Sequence, residues 1–159
     1  MIFVGLDVGG ANTKAARVDV GSGRVRVKVV REYFPVWARS RGELPELISR
    51  IGRGLCGGEE PDCVCLTMTA ELSDAYETKR EGVNHVLSSV EYAFKGVEVL
   101  VVNCMAELLS VGEARRRPLE VAAANWPATG WMVGRVFRNC IFMDAVSYTH
   151  LTLPTTERV

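Results

Sequence analysis

The chain has 159 residues, enough for one domain with a real core, and its 19 basic side chains balance 19 acidic ones to a formal net charge of zero. That balance excludes the basic surface expected of a nucleic-acid or acidic-membrane binder, and no apolar run approaches the roughly 20 residues that span a bilayer. Met1 leads straight into a strand-like run without a secretory leader, and the five cysteines lack paired C-x-x-C spacing, so they read as reduced and buried in a cytoplasmic protein.

Residues 1–20 read MIFVGLDVGGANTKAARVDV. The apolar run Ile2, Phe3, Val4, Leu6 ends in Asp7, passes through Gly9-Gly10 and resumes at Asn12-Thr13-Lys14 with Ala16 and Val18 alternating. This is a strand, a tight turn and a second strand, with the polar residues gathered at the turn. Gly9 and Gly10 are expected to reach positive φ and to let a ligand approach their N–H groups. Thr13 and Lys14 would add a hydroxyl donor and a positive charge for phosphate oxygens, and Asp7 could hold magnesium, which favours oxygen ligands and keeps much of its water. The other reading of the same residues is a plain hairpin with a solvated lysine.

Asp7-Val8-Gly9-Gly10-Ala11-Asn12-Thr13-Lys14 resembles the first phosphate loop of the actin, sugar kinase and Hsp70 superfamily, whose pattern is D-x-G-G-T-x-T-K. Ala11 stands where many members have threonine, so one hydroxyl donor is missing. The segment after the glycines reads as a strand, and neither a Walker nor a GxGxxG pattern is present.

Farther along, Gly21-Ser22-Gly23 marks a turn, and Val25, Val27 and Val29 alternate with Arg24, Arg26 and Lys28 as a half-exposed strand. Pro35 demotes the end of this meander to an edge or a loop. Leu44, Leu47, Ile48, Ile51 and Leu55 recur at helical spacing over residues 43–56, with Pro45 in the first turn and Gly57-Gly58 as a stop. Residues 62–69 (DCVCLTMT) form a mostly apolar strand in a helix, strand, helix alternation, which favours parallel pairing inside a sheet.

That strand runs into AELSDAYETKREG, residues 70–82. Polar residues just beyond a parallel strand are where open α/β sheets place ligands, so Glu71, Asp74, Glu77, Lys79 and Arg80 are candidates for a metal, an amine or a phosphate. A solvated loop and helix start is the competing account. Residues 82–95 then present Val83, Val86, Leu87, Val90 and Phe94 on one helical face, with His85 beside the stripe as a satisfied boundary histidine.

A buried strand follows over 97–103, then a short helical element over 105–116 with Glu107 near its start. Residues 119–137 read as one apolar helix rich in small residues that Pro127 should bend or break. Asn125 and Trp126 either face the site or, for Asn125, hold the carbonyls freed at the bend. Residues 140–144 (CIFMD) begin a further strand.

Three segments together carry a narrower resemblance: Asp7 to Lys14, Leu66 to Asp74 with Glu77 to Val83, and Ala124 to Thr129. They are similar to hydantoinase A/oxoprolinase-related proteins linked to tetrahydromethanopterin one-carbon metabolism and methanofuran-type cofactor biosynthesis. The resemblance implies one α/β lobe of the actin-like ATPase type, a mixed sheet with flanking helices. It implies a transferase that condenses a furan-methyl diphosphate with a (γ-glutamyl)tyramine-like phenol, forms an aryl ether and releases diphosphate. Gly9, Gly10, Asn12, Thr13, Lys14 and Asn125 would then bind the diphosphate, Asp7 and Asp144 the magnesium ion. Glu71, Asp74 and Glu77 are the catalytic candidates, as base or as holders of the amine-bearing substrate. The expected partner is a small-molecule phosphate or diphosphate, with no nucleic acid and no membrane; ATP use and oligomeric state stay open. Two rivals are a small-molecule kinase similar to type II pantothenate kinases and a non-catalytic nucleotide-binding accessory protein.

The family pattern F-x-D-x-G-S-T-T-T-D, a second phosphate loop, begins at Phe142-Met143-Asp144 and then breaks off. Val146 to Thr155 resembles a translated sequencing adapter, so the expected organisation is a truncated native lobe over 1–144 and a non-native tail over 145–159.

Overall fold

The computed structural model describes residues 1–21 and 23–143. Strand β1 (Ile2–Val8) turns into β2 (Asn12–Gly21) and β3 (Arg24–Tyr33), a meander that ends in a 3-10 turn at Val36–Ala38. Helix α1 (Glu43–Cys56) leads to β4 (Cys63–Met68), a second 3-10 turn at Ala70–Leu72, α2 (Lys79–Ala93) and β5 (Glu98–Val102). A three-residue β6 (Leu108–Ser110) and helices α3 (Val111–Arg116), α4 (Pro118–Val121) and α5 (Asn125–Val136) follow.

The six strands form one mixed sheet in the order β3-β2-β1-β4-β5-β6. β1, β4 and β5 run parallel, and the other neighbours pair antiparallel. Because side chains alternate, the register assigns every residue to a face. Val4, Leu6 and Val8 align with Ala15 and Thr13 on β2, with Val64, Leu66 and Met68 on β4, and through these with Val99 and Val101 on β5. That row is buried beneath α1 and α2, whose Leu44, Leu47, Ile48, Ile51, Val83, Val86, Leu87 and Val90 complete the core. Each fully buried Val or Leu there is worth about 1.5–3 kcal/mol.

Local signals set both helices. α1 ends where Gly57 adopts φ 61° and returns its N–H to the Arg53 carbonyl. α2 starts a turn earlier than its apolar stripe suggests, since the Thr78 side chain accepts the Glu81 N–H as an N-cap.

Several expectations are corrected. The 105–116 segment contains β6, paired with β5, before its helix begins. Residues 119–137 are two helices separated by a left-handed turn at Ala123 (φ 53°), and Pro127 sits in the first turn of α5, where it breaks nothing. Cys140 to Met143 form no strand. Cys104 and Cys140 are exposed, while Cys56 and Cys63 are buried. On β3 the valine face is open: Val25, Val27 and Val29 are 65%, 61% and 73% exposed, because both packed helices lie on the other side of the sheet. Among the described residues no helix is long and apolar enough to cross a membrane.

Candidate active site

The parallel strands β1 and β4 end side by side, and the hairpin β1–β2 turns at the same edge. Asp7 lies between Lys14 on β2 and Thr67 on β4, three polar side chains in one row on the open face. Lys14 Nζ donates to Asp7 Oδ2 at 2.9 Å. Asp7 Oδ1 is buried and has no partner.

The turn is built differently from the expectation. Neither Gly9 nor Gly10 has positive φ. Gly9 is required by crowding: its N–H donates to the Asn12 carbonyl at 3.0 Å, and a Cβ there would lie 2.7 Å from that oxygen. The Gly10 carbonyl accepts from Val36 N–H, and Asn12 Oδ1 accepts from Arg31 Nε at 3.1 Å, so the turn is tied to the end of the meander. Thr13 and Lys14, adjacent in sequence, point to opposite faces. Thr13 is fully buried on the helix-covered side, and its Oγ1 has no partner.

Glu71 sits in the 3-10 turn after β4 and is 98% buried by its 2% exposure. Its Oε1 accepts the Ala123 N–H at 2.7 Å, while Oε2 is buried and unpartnered. Burial is the main force pushing this carboxyl above the usual carboxylate range; the Ala123 N–H and Lys79 act against it, and the charge of Asp7 adds to it. Gly82 explains how α2 comes so close. A Cβ on it would lie 2.6 Å from Glu71 Cα and 2.9 Å from Tyr76 Cδ2.

The candidate acids are thus divided. Glu71 turns inward, whereas Asp74 and Glu77 lie exposed on the segment that leads to α2. Asn125 opens α5 with Oδ1 buried and without a partner. Its carbonyl is met by Thr129 Oγ1 at 3.0 Å, so the asparagine side chain is not the group that satisfies that turn. Trp126 is exposed and stands edge-on to Phe142. Asp144 lies outside the described residues, as does the 145–159 tail.

Asp7 Oδ1, Thr13 Oγ1, Glu71 Oε2 and Asn125 Oδ1 are the buried side-chain oxygens without a hydrogen-bond partner among the described residues. An unmet buried oxygen costs about 1–3 kcal/mol, so such atoms call for a water, an ion or a ligand. No group of three or more His, Cys, Asp or Glu that could hold a metal occurs among the described residues, which leaves a cation at Asp7 few protein ligands. A cleft of about 830 Å³ lined by Arg50, Arg53, Glu59 and Phe94 carries none of these residues.

Ala123 lies outside the motifs, and Gly82 lies within the Glu77 to Val83 segment without a role assigned to it there. Gly82 has a sequence signal all the same, a glycine beside Val83 at the buried start of a helix. Ala123 has none, since it contributes only a backbone N–H.

The hydantoinase/oxoprolinase family model matches residues 62–147. A (4-{4-[2-(γ-L-glutamylamino)ethyl]phenoxymethyl}furan-2-yl)methanamine synthase from Methanocaldococcus jannaschii is 34% identical over 99% of this chain, which spans 44% of that relative. Among solved structures, Thermus thermophilus RuvC covers 95% of this chain and 87% of its own at 17% identity, with a TM-score of 0.40. The Aquifex aeolicus PPX-GPPA enzyme covers 77% of this chain and 34% of its own at 9% identity, with a TM-score of 0.38.

Proposed function

The chain belongs to the hydantoinase/oxoprolinase family, and from that premise we propose that it supplies the diphosphate-gathering half of a methanofuran-type cofactor biosynthesis enzyme. In this reading the lobe is of the actin-like ATPase type and works in the cytoplasm. The reaction joins a phenol oxygen to a furan-methyl carbon: the new O–CH₂ bond forms as the bond from CH₂ to the diphosphate oxygen breaks, and the phenol proton passes to a base. The observation that carries the proposal is the 34% identity to a synthase whose product name contains a phenoxymethylfuran. The unmet oxygens of Asp7, Glu71 and Asn125 support it, one in each of the three segments, whereas Thr13 Oγ1 lies on the opposite face of the sheet from Lys14.

Lys14 is the cation for the diphosphate, released from Asp7 as the ligand arrives. Magnesium, held by Asp7 and by Asp144, would neutralise further diphosphate charge when bound. Glu71 is the best placed of the three acids to accept or hold a proton, since burial favours its neutral form. Asp74 and Glu77, on the exposed segment, suit the amine-bearing end of the phenolic substrate.

The test grafts residues 1–143 onto the remainder of the M. jannaschii synthase in place of the matched segment. With furan-methyl diphosphate, γ-glutamyltyramine and Mg²⁺, diphosphate release and the ether by mass spectrometry are expected, with Lys14→Ala lowering the rate at least about 100-fold. A folded graft that turns over ATP with a pantothenate-like alcohol, and makes no ether, would overturn the proposal.

A further inference from the structure

Glu71 is anchored by its neighbours more than by its own bonds. Between the 3-10 turn and α2 the chain crosses residues 73–78, and Tyr76 is the one buried side chain in that stretch. Its ring packs against Gly82, the residue that also abuts the Glu71 backbone, with no room for a Cβ between them. Its hydroxyl meets His85 Nδ1 at 2.7 Å, one turn along α2 from Gly82. The outer part of the assembly is closed by Arg41, whose guanidinium stands 5.2 Å from the Tyr76 ring centroid, donates to the Ala75 carbonyl at 2.6 Å and pairs with Glu81.

We propose that Tyr76 and His85 are a positioning couple for Glu71: their hydroxyl–imidazole bond pins the Tyr76 ring over Gly82 and so keeps the Glu71 carboxyl out of water. The inference rests on reading Glu71 as the working carboxyl, but the couple acts on its burial whether or not catalysis follows. Burial holds His85 below its ordinary range and pushes Tyr76 up to about 12, so at neutral pH both partners are uncharged and a neutral bond suffices. The charged groups that face His85 are Arg41 and Glu81, with Glu46 across a surface recess that it lines with Ser88 and Tyr92. A buried phenol left without its acceptor is driven toward water, so removing the His85 imidazole pushes the Tyr76 ring off Gly82.

The readout is the titration of the Glu71 carboxyl carbon by NMR in the chain as it stands, with the Ala123 amide shift as a second probe. His85→Ala keeps the Tyr76 ring and removes its partner; it should move the Glu71 midpoint toward the ordinary carboxyl value by about half a unit or more, as the unpartnered phenol turns outward and water reaches the group. His85→Gln, a neutral acceptor, should restore the parent midpoint. An unchanged midpoint and Ala123 shift in folded His85→Ala would overturn the proposal. Since no turnover is measured, that outcome leaves the ether-forming reading standing, and failure of the graft leaves this one standing.

Discussion

Asp7 and Lys14 face each other across the β1–β2 ladder, and their 2.9 Å ion pair uses only one of the two Asp7 oxygens. Lys14 is 57% exposed at its side chain and Asp7 26%, so water screens the pair and it should contribute no more than about 1 kcal/mol. Lys14→Met is therefore expected to change urea-unfolding stability by less than about 1 kcal/mol. In calorimetric titration with magnesium and inorganic diphosphate the same variant should lose affinity about 10-fold or more. Parent-like diphosphate binding in Lys14→Met would remove this lysine from the site.

Gly82→Ala places a methyl 2.6 Å from the Glu71 Cα and 2.8 Å from its Cβ, backbone and rigid side chain with nowhere to retreat. Overpacking of this kind should cost about 1–3 kcal/mol in urea unfolding. Gly10→Ala serves as the control: nothing lies within 4 Å of the new methyl, and its stability should stay within about 0.5 kcal/mol of the parent. Equal costs at the two positions would mean that the contact between α2 and the Glu71 turn is looser than described.

Burial raises the Glu71 carboxyl above its ordinary value of 4.5. A group whose folded value is raised favours the folded state fully below the unfolded value, and that contribution is lost as pH rises through the folded value. Glu71→Gln keeps an acceptor for Ala123 N–H and cannot ionise. The stability of the variant relative to the parent should thus grow from pH 4 upward through the folded midpoint and then level off, read from denaturant unfolding at each pH. A difference that stays flat with pH would contradict a buried, readily protonated Glu71.

The thiols should divide sharply. Burial pushes Cys63 up to about 11 and raises Cys56 and Cys65 as well, whereas Cys104 and Cys140 are exposed. A chromogenic disulfide reagent at pH 8 should titrate Cys104 and Cys140 promptly in the folded chain and the remaining cysteines only after unfolding. Prompt reaction of Cys63 would show that the start of β4 opens readily.

Much of this fold is legible because burial writes a period into the residues. The 3.6-residue recurrence from Leu44 to Leu55 marks α1, and the apolar run Cys63 to Met68 marks a strand paired on both edges. β6 escapes because three residues carry no period. The break between α4 and α5 escapes because Ala122, Ala123 and Ala124 all favour helix; the left-handed turn at Ala123 is fixed by a tertiary bond to Glu71, 52 positions away. At the site, the acidic segment 70–82 reads as uniformly polar, and what separates buried Glu71 from exposed Asp74 and Glu77 is the glycine opposite it on α2. Local composition cannot express that contact.

The open valine row on β3 alternates with Arg24, Arg26 and Lys28 along an outer strand of the sheet. Edge-to-edge growth would set cations of one copy opposite cations of the next, a standard deterrent to fibre formation. The exposed valines themselves carry no such charge, so what the cations guard is the edge of the strand and not its face.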